Sequence, residues 1–344
     1  MTTDEMARPS SVQQPSQRRP GRRRRRAGRW LVVALLVLIG LAGAGMLYQA
    51  IGTVRDRRTS APPGKLVDVG GSTMHLHCTG TGSPTVILEP GAGSPSPIWA
   101  WVQPEAARLT RVCSYDRAGL GWSESSARPR DAATIAQDLH TLLRDGGETG
   151  PFVLVGHSFG GQYALMFASL FGEETAGLVL IDAQHPDMMF GHPEARTMEQ
   201  QQRRQVSLLA VLSRLGIVRL LGLAPADARL PAETQQALNR AKNSTAMVNA
   251  LRDELEALPT NRQQLHDAGT LGNLPLFVLS ATEHGTPELE TYGASLQREL
   301  AALSTNSRHE IVAGADHSSL VTEQHNAHRT AAAIQAVVQR VRQQ

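Results

Sequence analysis

Ser158 stands in Gly156-His157-Ser158-Phe159-Gly160, directly after the apolar run Phe152-Val153-Leu154-Val155 and just before a helical pattern that opens at Gln162. Strand, sharp turn and helix in that order lift a serine hydroxyl clear of a sheet and set it at a helix N-terminus, where developing negative charge is favoured. Glycine is expected at 156 and 160 because a Cβ there would strike the neighbouring strand or helix. A serine hydroxyl is a weak nucleophile until a base takes its proton, and the base in turn needs an acid to orient it. His317, in Gly314-Ala315-Asp316-His317-Ser318 after the last strand pattern, is the expected base. His157 flanks the serine and points away from its hydroxyl, and His75 and His77 alternate with Met74 and Leu76 along a strand pattern. Two acids keep the order serine, acid, histidine: Asp182 at the end of Leu178-Val179-Leu180-Ile181, and Glu283 just past the following strand. Asp316 is too near His317 in sequence to reach back. The oxyanion of an acyl-transfer intermediate needs two backbone donors. The N–H of Phe159 is one, and Ala92 in the turn Glu89-Pro90-Gly91-Ala92-Gly93 is the expected second.

These groups need a scaffold. Short strand patterns at residues 65–69, 73–78, 85–88 and 111–115 are followed by alternating strands and helices, which indicates an α/β fold with a mostly parallel sheet covered on both faces. The alternation breaks at residues 186–268, where helical patterns such as Val206-Ser207-Leu208-Leu209-Ala210 occur without a convincing strand. That insertion reads as a helical cap over the site, against the simpler alternative of helices packed on the sheet. Strand patterns resume at 276–280 and 310–313, with helices near 288–303 and from about 320. A chain of 344 residues that is 41% hydrophobic can bury a core of this size.

The net charge of +3 is unevenly placed. Residues 1–29 hold nine arginines against Asp4 and Glu5, so they carry +7 and the remainder carries −4. A mildly acidic body argues against nucleic acid as a partner. Residues 30–48 contain no charge, and at 1.5 Å per residue they reach roughly 28 Å, close to the hydrocarbon thickness of a bilayer. Trp30 and Tyr48 bracket the run as interfacial anchors would. The heavier arginine cluster lies before it, which keeps the N-terminus cytoplasmic and sends the body outward. A cleavable signal peptide, cut near Ala42-Gly43-Ala44, is the rival reading. The expected organisation is a cytoplasmic tail (1–29), a transmembrane helix (30–48), a linker (49–64), a catalytic core (65–185 and 269–344) and a cap (186–268).

Together these residues resemble the α/β-hydrolase superfamily from about residue 65 onward, and in particular its bacterial serine-type members similar to prolyl iminopeptidases and epoxide-hydrolase-like proteins. Tyr115-Asp116-Arg117-Ala118-Gly119-Leu120-Gly121-Trp122-Ser123 looks like that group's tract after the fourth strand. The resemblance implies an eight-stranded sheet in the order 1-2-4-3-5-6-7-8, with the cap inserted after strand 6. It sets Pro90-Gly91-Ala92-Gly93 where the group usually has His-Gly-x-Pro, so Pro90 replaces a histidine. It places His284 where the usual acid after strand 7 would stand, which favours Asp182 over Glu283. Serine at the elbow departs from the aspartyl-ester chemistry of epoxide hydrolases. The implied order also makes strands 2 and 4 neighbours, which brings Cys78 beside Cys113. In an oxidising compartment that pair is expected to form a disulfide, and two buried thiols are the alternative.

The reading is a single-pass cell-membrane serine hydrolase with its catalytic domain outside the cytoplasm. It would act on a small ester or amide through Ser158, His317 and Asp182, and no metal or cofactor is implied. A prolyl iminopeptidase-like aminopeptidase is the alternative, with Glu254 and Glu256 as candidates for holding a substrate ammonium. A catalytically idle fold serving as an envelope binding protein is the remaining one.

Overall fold

Central strands without a polar residue on either face can only be stable between two helical layers, and this is how the chain folds. The computed structural model describes the backbone of residues 22–283 and 285–344 and the side chains of 28–282 and 285–344. Residues 1–21 and His284 lie outside it, as does the side chain of Glu283.

The strands are β1 (Lys65–Asp68), β2 (Thr73–Thr79), β3 (Thr85–Glu89), β4 (Val112–Tyr115), β5 (Phe152–His157), β6 (Thr175–Ile181), β7 (Leu276–Glu283) and β8 (Ser307–Asp316). They form one sheet in the order β1-β2-β4-β3-β5-β6-β7-β8. β2 runs antiparallel to both β1 and β4, and every later pairing is parallel. The helices are α1 (Arg22–Thr59), α2 (Val102–Ala106), α3 (Ala132–Asp145), α4 (Phe159–Leu170), α5 (Met188–Gly191), α6 (Pro193–Arg214), α7 (Ile217–Leu221), α8 (Ala232–Lys242), α9 (Thr245–Glu256), α10 (Leu258–Asp267), α11 (Pro287–Ala302), α12 (Ser319–Thr322) and α13 (Gln324–Val341).

The strand period of two sorts the core into layers. Phe152 and Leu154 of β5 join one cluster, with Ile135, Leu139 and Leu142 of α3 and Tyr163 and Phe167 of α4. Val153 and Val155 point the other way, onto Trp99, Val102 and Ile334, Val337 and Val338 of α13. α3 begins where Asp131 accepts the Thr134 N–H at 3.2 Å, satisfying one of the donors a helix start leaves free. Between β6 and β7 the described residues form six helices, α5 to α10, and no strand.

By its internal contacts the chain falls into two compact units, Met1–Ala44 and Gly45–Gln344. In the first, residues 28–44 are helical and mostly exposed, with Leu35, Leu36, Leu38 and Leu41 in the open. The stretch Gly28–Thr59 is long and apolar enough to cross a membrane, by length and composition. In the second unit, the linker expected over 49–64 is helical as far as Thr59. Gly45, Gln49, Gly52 and Asp56 recur at helical spacing, so they share one face, which turns to the insertion. There Gln49 Nε2 donates to the Asn243 carbonyl at 2.8 Å, and Arg219 donates to Gln49 Oε1 at 3.1 Å and Asp56 Oδ2 at 2.7 Å. Residues that read as linker in isolation thus extend the helix because their polar groups find partners far along the chain.

Candidate active site

β5 ends at His157 and α4 begins at Phe159, so Ser158 occupies the turn between them with φ 55° and ψ −124°. Such a backbone is strained for a residue with a Cβ, and it persists only where its surroundings fix it. The Ser158 N–H donates to the Ile181 carbonyl at 3.2 Å, and its own carbonyl accepts from Gly161 at 3.0 Å and Gln184 at 2.8 Å. The two glycines of the elbow are close-approach positions. A Cβ on Gly156 would lie 2.5 Å from the Gly160 carbonyl oxygen, and one on Gly160 would strike the Glu89 carbonyl.

Asp182 follows β6 directly and is, among the described residues, the other non-glycine residue with positive φ, at 41°. Its N–H donates to the Leu279 carbonyl at 2.7 Å, and its Oδ1 accepts the Ala281 N–H at 3.1 Å. Its Oδ2 lies 2.6 Å from His317 Nδ1. The Asp182 side chain is 2% exposed and that of His317 is 41% exposed, so a buried carboxylate holds an imidazole whose other edge remains open. Such a bond fixes the tautomer in which Nδ1 carries the proton and Nε2 is free to accept one. His157 also shapes this loop: its ring is buried, its Nε2 lies 2.9 Å from the His317 carbonyl, and the two rings are 4.8 Å apart. Burial, then the nearby His317, pushes the His157 pKa down to about 3. Neutral His157 therefore donates from Nε2 and fixes the backbone of His317.

Among the described residues Ser158 Oγ makes no hydrogen bond to His317. Catalytic contacts of this kind are often open until substrate binds. The backbone of Glu283 ends β7 opposite Asp316, while its side chain lies outside the described residues. Asp316 turns elsewhere: it meets Arg229 Nη1 at 2.5 Å and accepts the N–H groups of Ser318 and Ser319 at 2.9 and 2.8 Å.

On the other side of the serine, a Cβ added to Gly91 would lie 3.1 Å from Ser158 Cβ, so the turn after β3 presses against the elbow. Phe159 is the first residue of α4 and has no helical partner for its N–H. Among the described residues the Ala92 N–H likewise donates to no protein group. Neither expected donor is thus bonded within the protein among the described residues, and Ala92 follows the Gly91 that meets the elbow.

The residue that holds this turn is Arg117, quoted from sequence only as part of a tract. Its guanidinium donates to the carbonyls of Pro90 and Gly91, each at 2.7 Å, to Glu89 Oε1 at 2.6 Å and to Glu254 Oε1 at 2.8 Å. Glu254, from α9, also accepts the Gly93 N–H at 2.9 Å and meets Arg130 at 3.0 Å. Tyr115 hydrogen-bonds Glu89 from below. Burial outweighs the pull of Arg117 and pushes Glu89 up to about 7, whereas at Glu254 burial is outweighed by Arg117 and Arg130, which hold its carboxyl below the usual carboxylate range. Asp116 ties the rest of the tract by accepting the N–H groups of Ser96 at 2.6 Å and Trp122 at 3.0 Å. The turn with Pro90 in place of histidine is therefore braced by a buried arginine. Glu254 is fully buried and committed to two guanidinium groups, which removes it as a holder of a substrate ammonium. Glu256 is half exposed and 3.7 Å from Arg252.

Cys78 and Cys113 face each other across the β2–β4 pair, and the structure joins their sulfurs.

The sequence profile described as the alpha/beta hydrolase family matches residues 86–333. The chain belongs to this family. An uncharacterized protein of Schizosaccharomyces pombe is 32% identical over 151 residues, which cover 35% of this chain and 28% of that protein. The 2-hydroxy-6-oxo-2,4-heptadienoate hydrolase of Pseudomonas putida is 35% identical over 135 residues, covering 36% of this chain and 46% of that enzyme. Among solved structures, a thermophilic esterase from Thermogutta terrifontis superposes with a TM-score of 0.58 at 23% identity, over 82% of this chain and 99% of that one. The matches span 28%, 48% and 20% of the first curated relatives' own lengths. The order and pairing of the eight strands agree with the fold expected from sequence, including the helical insertion after β6.

Proposed function

We propose that the chain is a serine hydrolase that cleaves an ester or amide of a small molecule through an acyl-enzyme. Ser158 Oγ attacks the carbonyl while His317 Nε2 takes its proton. Asp182 holds the imidazole and stabilises its charged form, and the Phe159 and Ala92 N–H groups receive the oxyanion. His317 then returns the proton to the leaving group, and water, deprotonated by the same ring, releases the acid. The observation that carries this reading is the 2.6 Å contact between His317 and a buried Asp182, set beside a serine with a strained backbone. The burial of Glu254 favours an uncharged ester or amide over an aminopeptidase substrate, because its carboxylate is committed to Arg117 and Arg130 and has no charge left to offer a cation.

The apolar helix at residues 30–48 is proposed to hold the protein in the cell membrane as a single pass, with the arginine-rich N-terminus cytoplasmic and the catalytic unit outside. Ser158→Ala tests the enzymatic reading. Hydrolysis of p-nitrophenyl esters should fall to background with thermal unfolding nearly unchanged, and undiminished turnover would remove Ser158 from the mechanism.

A further inference from the structure

Within the second unit, the membrane-suited helix touches the insertion at a depth that has consequences. Gly45 and Tyr48 belong to the apolar run, and both lie against the turn between α6 and α7. A Cβ on Gly216 would stand 2.8 Å from the Gly45 carbonyl oxygen and 2.9 Å from Tyr48 Cδ1, and a Cβ on Gly45 would strike the Leu215 carbonyl. Whatever depth Gly45 and Tyr48 take in a bilayer, the α6–α7 turn must share it.

That turn is flanked by apolar side chains with no protein cover. Leu208 and Val211, 59% and 52% exposed, lie on the α6 face that ends at Leu215, the first about 10 Å before it at 1.5 Å per residue. Leu220, Leu221 and Leu223, after Gly216, are 68%, 63% and 44% exposed. On α1 the face opposite the Gly45–Gln49–Gly52 contact carries Leu47, Ile51 and Val54, also exposed. Five exposed apolar side chains on, or just past, the two helices that meet at one turn mark an interaction surface rather than ordinary scatter. The bordering charges are cationic: Arg204 and Arg214 on α6, and Arg55, Arg57 and Arg58 after Val54, all exposed. An apolar patch rimmed by arginines suits acyl chains beneath anionic headgroups.

We propose that the α6–α7 corner is a second membrane-contact surface, seated in the interfacial layer of the bilayer that α1 spans, so that the site receives an acyl ester carried in that bilayer. This rests on the anchored-hydrolase reading. α6 packs along α9, and α9 carries the Glu254 that accepts the Gly93 N–H of the turn after β3, so the corner and that turn lie on one run of packed helices.

The test uses the full chain in liposomes of mixed zwitterionic and anionic phospholipid. L36C, L221C and I311C variants are each labelled with an environment-sensitive fluorophore, the native cysteines being bonded to each other. Lipid-borne spin labels should quench positions 36 and 221, with 221 shallower, while aqueous iodide quenches 311 on β8, which is likewise exposed. If 221 behaves like 311 while 36 is quenched, the surface is wrong and the anchor stands. If 36 is itself in water, both fall. A triple variant, L220Q/L221Q/L223Q, should lose about tenfold in turnover of a vesicle-borne ester and keep its rate on a water-soluble short-chain ester. Equal loss on both, or on neither, overturns the delivery of substrate from the bilayer. Failure of the unaltered chain to cleave the soluble ester would count against the hydrolase reading, and the quenching result would still decide the surface.

Discussion

The two flanks of Ser158 are built differently. On one side a single buried carboxylate holds an imidazole that is two-fifths exposed. On the other, Arg117, Glu89, Glu254, Arg130 and Tyr115 are all buried and hydrogen-bonded around the turn that carries Ala92. In the proposed mechanism the first flank must reach substrate and change its protonation state; the second must keep the Ala92 N–H still while charge develops and decays. Openness serves proton transfer, and a buried hydrogen-bonded network serves preorganisation. The contrast teaches that charge around this serine has two uses, which substitutions should separate.

The largest separation is expected from Asp182→Asn. It leaves the wrong imidazole tautomer in place, and kcat should fall about 10⁴-fold, as such a change does in a triad of the same chemistry, while the denaturant midpoint stays close to that of the parent. A large loss of stability with residual activity would place Asp182 in the scaffold instead. Glu254→Leu should register foremost in stability, with a smaller loss of turnover through the loosened Gly93 contact. It removes the carboxylate that Arg130 meets and one of the two that Arg117 meets, and breaking a buried pair of this kind costs about 3–5 kcal/mol of unfolding free energy, readable in urea. An unchanged midpoint would show that the network bears no load.

Arg117→Lys keeps the charge but loses the fork that grips both the Pro90 and Gly91 carbonyls. With the turn loosened, kcat should drop about 10²-fold, the scale of one weakened oxyanion donor, with KM changed by less than a few-fold. A rise in KM at constant kcat would assign Arg117 to substrate binding rather than positioning.

The smallest effect concerns His157, which lies between the two flanks. Its folded pKa is depressed to about 3 from 6.5, so the stability it contributes is present above about 6.5 and is lost as pH falls towards 3. Gln at this position keeps a donor for the His317 carbonyl and does not titrate. Acidification from pH 7 to 4 should therefore lower the parent's Tm more than that of His157→Gln. Parallel curves would mean that His157 is not held neutral.

The flank proposed to carry the chemistry could be named from the sequence, because its signal is local. A strand, an elbow and a helix adjoin in the chain, and the order serine, acid, histidine survives without knowing any packing. The bracing flank was not. Arg117 and Glu254 lie 137 positions apart, and only folding shows that they meet. Read in isolation, Glu254 is a charge on a cap helix and invites a substrate cation; its burial is what changes its meaning. Residues 49–59 mislead for the same reason, since Gln49 and Asp56 look like linker until Asn243 and Arg219 arrive. The sheet was easier, because alternation such as Val153 and Val155 against Phe152 and Leu154 is written in consecutive residues.

The central claim is that Ser158 is an activated nucleophile, and active-site labelling measures that directly. The full-length protein, treated with a fluorophosphonate at neutral pH and digested, should carry one phosphonyl adduct on Ser158, at a rate that Asp182→Asn slows strongly and heat denaturation abolishes. No adduct on Ser158 in protein shown to be folded, or an adduct formed equally fast after denaturation, would contradict the account.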